Sequence, residues 1–204
     1  MNLHVALLAA ALCLVAALVQ AQTPAQPPAN KPLTKELLEQ LRQGGFIIYF
    51  RHGETPNYKD PNEGNLDDCA QQRNLSADGR TQVRAIGQAF RTLEIPLGVV
   101  RSSPFCRSAD TARLAFGRVE KTMELLSNGK DNDPVEDARI KHVHNTMKIP
   151  PWPGSNTIYV GHGSPPEKMG CGHFLIEGEA AIFRWTQAGP VCVGNVKSDE
   201  WVRP

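Results

Sequence analysis

Three short stretches of this chain carry side chains suited to one kind of chemistry. Phe46 to Thr55 reads FIIYFRHGET, an apolar run that ends in Arg51, His52 and Gly53. Val99 to Ala112 reads VVRSSPFCRSADTA, in which Ser102 and Ser103 precede Arg107. Asn156 to Pro165 reads NTIYVGHGSP, a second apolar run that ends in Gly161, His162 and Gly163. Each stretch sets its polar residues directly after aromatic or β-branched ones, as a buried strand does where it runs into a loop. In open α/β folds ligands bind at the carboxyl ends of the strands. Two guanidinium groups and two imidazoles gathered there form a cationic pocket. A phosphoryl group is its natural guest, because guanidinium forks match phosphate oxygens two at a time. One Arg-His pair alone is an ordinary strand end, so the reading rests on the three stretches together.

The elements that must position these residues alternate between strand and helix. Thr34 caps a short helix through Arg42, with Leu37, Leu38 and Leu41 on one face and Gly44 near its stop. The strand before Arg51 follows. Asn57 to Gln72 is polar and turn-rich and reads as a loop over the pocket. Ser76 caps a second helix, in which Val83, Ile86, Phe90 and Leu93 keep helical spacing. A strand at Val99-Val100, a helix from Cys106 to Phe116 stopped by Gly117, and a strand at Ile158 to Val160 complete the series. This order predicts an α/β fold, a three-layer αβα sandwich with a mostly parallel central sheet. Glu177 to Val196 differs: Ala181, Phe183 and Trp185 alternate before Gly189-Pro190, which predicts a C-terminal hairpin on the sheet edge.

The ordered set RHGET, RNLSADGRTQVRAIG, SSPFCRSADTA and VGHGS resembles the histidine phosphatase superfamily, which includes phosphoglycerate mutases and histidine acid phosphatases. The resemblance runs from about Phe46 to His162. It implies a metal-independent phosphomonoester hydrolase in which His52 is the nucleophile and Arg51, Arg107 and His162 bind phosphate. Thr55 and Ser103 stand close enough in sequence to add hydroxyl donors to that phosphate. His52 must be neutral on its attacking nitrogen, and a bond from its other ring nitrogen to a backbone carbonyl would set the tautomer. Attack forms a phosphohistidine that water hydrolyses. Neither metal nor cofactor is called for, since the guanidinium groups supply the positive charge. The leaving oxygen needs a proton. The acidic setting that cytosolic mutases carry between the second arginine and the second histidine is absent from this chain. Glu167, in the loop GHGSPPEKMG, is the expected donor; Glu124 is the mutase-like alternative, and Glu54 is expected to make a structural bond. A phosphoglycerate mutase-type phosphotransferase and a noncatalytic phosphate- or phosphosugar-binding protein are the competing functions.

Met1 to Ala21 holds no Asp, Glu, Lys or Arg, and Val5 to Val19 is almost wholly apolar. It reads as a secretory signal peptide cut after Ala21. Residues 22–33, with Pro24, Pro27, Pro28 and Pro32, read as an extended tether, and 34–204 as one domain. The chain is thus expected to be periplasmic or secreted, with no stable membrane insertion after cleavage. The formal net charge is +1, which gives no support for nucleic-acid binding and leaves a small phosphorylated substrate as the expected partner.

Beyond Cys13 in the signal peptide, four cysteines remain, an even number in an exported chain. The expected pairs are Cys69 with Cys106, tying the long loop to the Arg107 helix, and Cys171 with Cys192; four buried thiols are the alternative. Thr111 stands five residues after Cys106, so no Cys-x5-Arg signature of a cysteine phosphatase is present. His142 and His144 in KHVHN lack partners at metal-ligand spacing and read as surface strand or loop. His173 has no evident role. Trp152, Trp185 and Trp201 read as core or edge packing.

Overall fold

A computed structural model describes residues 33–59, 65–127 and 134–203. The expected signal peptide, all of the tether but Leu33, and the middle of the Asn57–Gln72 loop lie outside the described residues. The elements run α1 (Lys35–Gln43), β1 (Phe46–Arg51), α2 (Ala77–Thr92), β2 (Leu97–Ser102), α3 (Cys106–Phe116), β3 (Glu120–Lys121), α4 (Pro134–Thr146), β4 (Asn156–Gly161), α5 (Ser164–Lys168), β5 (Ala180–Thr186), β6 (Gly189–Val196) and α6 (Ser198–Val202). The sheet order is β3-β2-β4-β1-β5-β6. β3, β2, β4 and β1 are parallel to one another, while β5 and β6 form the antiparallel hairpin at one edge.

β1 and β4 lie at the centre, and every residue of both but Arg51 is buried. That explains their unbroken apolar sequences: a strand with helices on both faces has no side turned to water. Successive side chains of β1 feed two cores. Phe46, Ile48 and Phe50 pack with α1, α2, α3 and Trp201 of α6 on one face. Ile47 and Tyr49 pack with Leu125, Val143 of α4 and Leu175 on the other. The three layers follow from this alternation. The helix starts are those the sequence marks: the Thr34 side chain accepts from the Leu37 N–H, and that of Ser76 from the Gly79 N–H.

Three expectations need correction. His142 and His144 lie on α4, not on a strand or loop. Only Glu136, Val143 and Thr146 of that helix are buried, so its apolar stripe is too thin to show as helical spacing. The segment after His162 is the short helix α5 rather than a loop; its prolines occupy the first turn, where no N–H bond is lost. Trp201 is fully buried and Trp185 partly so, but Trp152 stands exposed.

Both expected disulfides are present, Cys69–Cys106 and Cys171–Cys192. The first encloses a sequence separation of 37 and fastens the segment before α2 to the first residue of α3. Closing a loop of that size is worth about 2–4 kcal/mol. Replacing Cys69 and Cys106 by serine together is therefore expected to lower the unfolding free energy by about that amount, read from urea denaturation under non-reducing conditions. An unchanged midpoint would show that this bridge is not formed in solution.

Candidate active site

The register of the central strands brings the two histidine segments together. β1 pairs with β4 so that Arg51 faces Gly161, and His52 and His162 leave the sheet side by side. The His52 N–H donates to the Gly161 carbonyl at 3.0 Å. The two imidazole rings lie 5.8 Å apart between centroids, almost perpendicular. β2, on the other side of β4, delivers Ser103, whose N–H donates to the Val160 carbonyl. The Ser103 hydroxyl lies 3.0 Å from His162 Nε2. Arg107 follows in the first turn of α3, with its guanidinium 4.2 Å above the ring of Phe105. Phe105 also meets the His162 ring edge-on at 5.3 Å. His52, His162, Ser103 and Arg107 are all buried.

His52 Nδ1 lies 2.8 Å from the Gly53 carbonyl oxygen. A carbonyl only accepts, so Nδ1 carries the proton and Nε2 keeps its lone pair. Burial pushes the pKa of His52 well below the usual histidine value, and the charges of His162 and Arg107 push in the same direction. Burial lowers His162 likewise, followed by the charges of Arg107, Arg51, Arg73 and Arg139. Both shifts disfavour the charged imidazolium.

Several residues outside the expected set hold this arrangement. The Gly53 N–H donates to the Thr111 hydroxyl, which donates to the Arg107 carbonyl one turn back. The RHG turn is thereby fixed against α3. Tyr49, fully buried in β1, accepts the His162 N–H at 3.1 Å, and burial raises its own pKa. Its hydroxyl fills the space beside Gly161 where any side chain would sit. Arg51 is held by the segment after α5: its Nη1 donates to the Leu175 carbonyl at 2.9 Å, and its Nη2 lies 3.4 Å from the Glu177 carboxylate. That segment is fastened by Cys171–Cys192 and by the buried carboxylate of Glu179, which accepts from His173 and from the Ile176 N–H. His173, without a role in the sequence, thus supports the residues that hold Arg51. Nothing in the spacing of Glu177 or Glu179 announces these bonds.

Thr55 shares the Glu177 carboxylate with Arg51. The Thr55 hydroxyl donates to Glu177 at 2.6 Å, so it serves that carboxylate in this structure. Glu54 accepts from Ser76 at the start of α2, the structural bond expected of it. Glu124 is exposed and accepts from the Thr146 hydroxyl. Glu167 is half-buried on α5, and its carboxyl makes no hydrogen bond or ion pair with the other described residues. A carboxylate the sequence reading passed over lies deeper: Glu136, in the first turn of α4, is buried, and its Oε1 accepts from the hydroxyls of Ser127 and Ser164. Ser164 stands two residues after His162. Arg139 lies 3.9 Å from the same carboxylate.

The fold and this strand-edge cluster define an α/β protein with two histidines and two arginines gathered at the carboxyl ends of its parallel strands. Residues 47–141 match the model of the histidine phosphatase superfamily (branch 1) and form a domain of that superfamily. No curated protein sequence matches the chain. Among solved structures it is similar to phosphoserine phosphatase from Entamoeba histolytica in complex with 3-phosphoglyceric acid, at 16% identity and TM-score 0.55, covering 76% of this chain and 98% of that one. The protein histidine phosphatase SixA complexed with tungstate gives 12% identity and TM-score 0.50 over 76% and 97% of the two chains. Bacillus stearothermophilus YhfR gives 14% and 0.52 over 72% and 94%. At these identities the likeness is one of fold.

The lowered histidine pKa values link the site to stability. In the unfolded chain both imidazoles titrate near ~6.5. Between that value and their lower folded values the unfolded state binds more protons, so stability rises with pH there. Stability is fully present above about pH 6.5 and is lost as pH falls below it. The urea midpoint is expected to fall on going from about pH 7 to about pH 5, and His52→Gln is expected to flatten that fall. A midpoint with the same slope in wild type and variant would show that His52 titrates as an exposed group.

Proposed function

We propose that the protein is a metal-independent phosphomonoesterase that works through a phosphohistidine on His52. The observation that carries the reading is the bond between His52 Nδ1 and the Gly53 carbonyl, which leaves Nε2 unprotonated in a buried pocket beside Arg107 and His162. A neutral imidazole with a free lone pair is a nucleophile, and the arginines around it make the site one for an anion. Arg51, Arg107 and His162 hold the phosphoryl oxygens and neutralise the charge that builds on them in the transition state. Ser103, bonded to His162, sets that ring and stands ready to donate to the same oxygens. Thr55 joins them if its hydroxyl turns from Glu177.

The electron pair on Nε2 forms a bond to phosphorus while the bond from phosphorus to the alcohol oxygen breaks. A carboxylic acid gives its proton to that oxygen. In the second half, water attacks the phosphohistidine, its proton goes to the same carboxylate, and inorganic phosphate leaves. Glu167 is the proposed donor, since its carboxyl is not tied to other described residues and can turn toward the leaving oxygen. Glu136 is the second reading, favoured by its hydroxyl link through Ser164 to the His162 segment. Export to the periplasm or the outside, after cleavage behind Ala21, belongs to the same proposal. It is supported by the two disulfides, which persist in oxidising compartments. No helix among the described residues is long and apolar enough to cross a membrane.

The test is phosphate release from para-nitrophenyl phosphate in EDTA. Wild type is expected to turn over, and His52→Ala to lose at least about a thousandfold while still binding phosphate. Unchanged turnover in His52→Ala would overturn the mechanism. Phosphate binding without turnover in wild type would favour a binding protein, and transfer between phosphoglycerates a mutase. Replacing the true acid is expected to slow alkyl phosphates more than para-nitrophenyl phosphate, whose leaving group needs less protonation. Glu167→Gln and Glu136→Gln, compared on both esters, decide between the two carboxylates.

A further inference from the structure

Both arginines of the pocket lie against a phenylalanine, but the two rings differ in exposure. Phe105, under Arg107, is buried. Phe174, whose centroid is 5.1 Å from the Arg51 guanidinium carbon, is 42% exposed. An exposed aromatic ring is not by itself unusual. The investment around this one is. Leu175 next to it is fully buried, and the Leu175 N–H donates to the Gly163 carbonyl at 3.2 Å. Cys171, three residues earlier, is bonded to Cys192 of β6, and the Asn195 side chain donates to the Cys171 carbonyl. His173, the residue before it, donates to buried Glu179. The ring is thus held on a segment with little freedom, between Arg51 and the turn that carries His162.

Gly163 shows how closely the ring approaches that turn. Its φ is −77°, open to any residue. A Cβ there would nevertheless collide with the near edge of the Phe174 ring. The glycine after His162 is needed for this contact and not for its backbone freedom. A fixed, half-exposed aromatic face therefore stands beside both phosphate-binding segments, where the alcohol part of an ester would lie once its phosphoryl group is seated.

We propose that Phe174 is a specificity-determining residue that packs against the alcohol portion of the substrate. The proposal deepens the phosphomonoesterase reading and rests on it. The substrate class is a phosphate monoester whose alcohol presents a planar or apolar ring face close to the ester oxygen. The next side chain outward on the same segment, Ile176, is 54% exposed and extends the apolar surface.

The experiment compares benzyl phosphate with 2-hydroxyethyl phosphate, two esters of aliphatic alcohols that differ in the ring, on wild type, Phe174→Ala and Phe174→Leu of the full chain. Loss of the aromatic contact is expected to lower kcat/KM on benzyl phosphate about tenfold more than on 2-hydroxyethyl phosphate. Leucine is expected to recover part of the difference. Equal losses on the two esters would mean that Phe174 only supports Arg51, and no loss on either that the ring lies outside the path of substrate; each overturns the proposal. Binding of benzylphosphonate and methylphosphonate, which cannot be hydrolysed, gives the same ratio without turnover. If wild type hydrolyses neither ester the phosphomonoesterase reading fails, while the phosphonate ratio still decides the role of Phe174.

Discussion

The parallel pairing of β1 with β4 is the constraint on which the site depends. With Arg51 opposite Gly161, the two chains leave the sheet at the same level and on adjacent paths. The His52 N–H continues the ladder one residue beyond the strand, to the Gly161 carbonyl. A slip of one residue would turn every side chain of β1 to the other face. Phe46, Ile48 and Phe50 would then exchange cores with Ile47 and Tyr49, and the Tyr49 hydroxyl would no longer reach the His162 N–H. The packing that makes the sheet and the geometry that makes the pocket are set by the same register.

Charge and burial act together in the pocket. Taking an imidazole out of water disfavours its charged form, and nearby arginines disfavour it further. His52 and His162 experience both. The result is a pair of rings held toward the neutral form within a positive field. The tautomer is decided by one short bond to the Gly53 carbonyl. Gly53 in turn is held by Thr111, so α3 supplies both Arg107 and the anchor for the turn that carries His52.

Arg51 is positioned from a different direction. The segment between α5 and β5 gives it a carbonyl, a carboxylate and a ring face. That segment has little regular structure of its own. A disulfide, a buried glutamate and a backbone bond to Gly163 hold it in place of a helix or strand. Its order is imposed by long-range contacts, which is why residues such as His173 and Glu177 have no local sequence signal.

Much was determined by the sequence alone. The apolar runs before Arg51 and His162 read as buried strands, and the caps at Thr34 and Ser76 marked two helix starts, because these are local effects of burial and backbone bonding. The alternation of Ala181, Phe183 and Trp185 marked the edge hairpin, and the ordered motifs named the superfamily. Tertiary structure decided the rest. The helix α4 was hidden because it buries too few residues to leave a period, and Glu136 was hidden with it. The Thr55 hydroxyl meets Glu177 because the fold brings that carboxylate, distant in sequence, within its reach. Gly163 was readable as part of a motif, but its reason, the ring of Phe174, depends on where a separate segment returns. Local pattern reports which face of an element is buried; only the assembled fold determines which distant side chains meet.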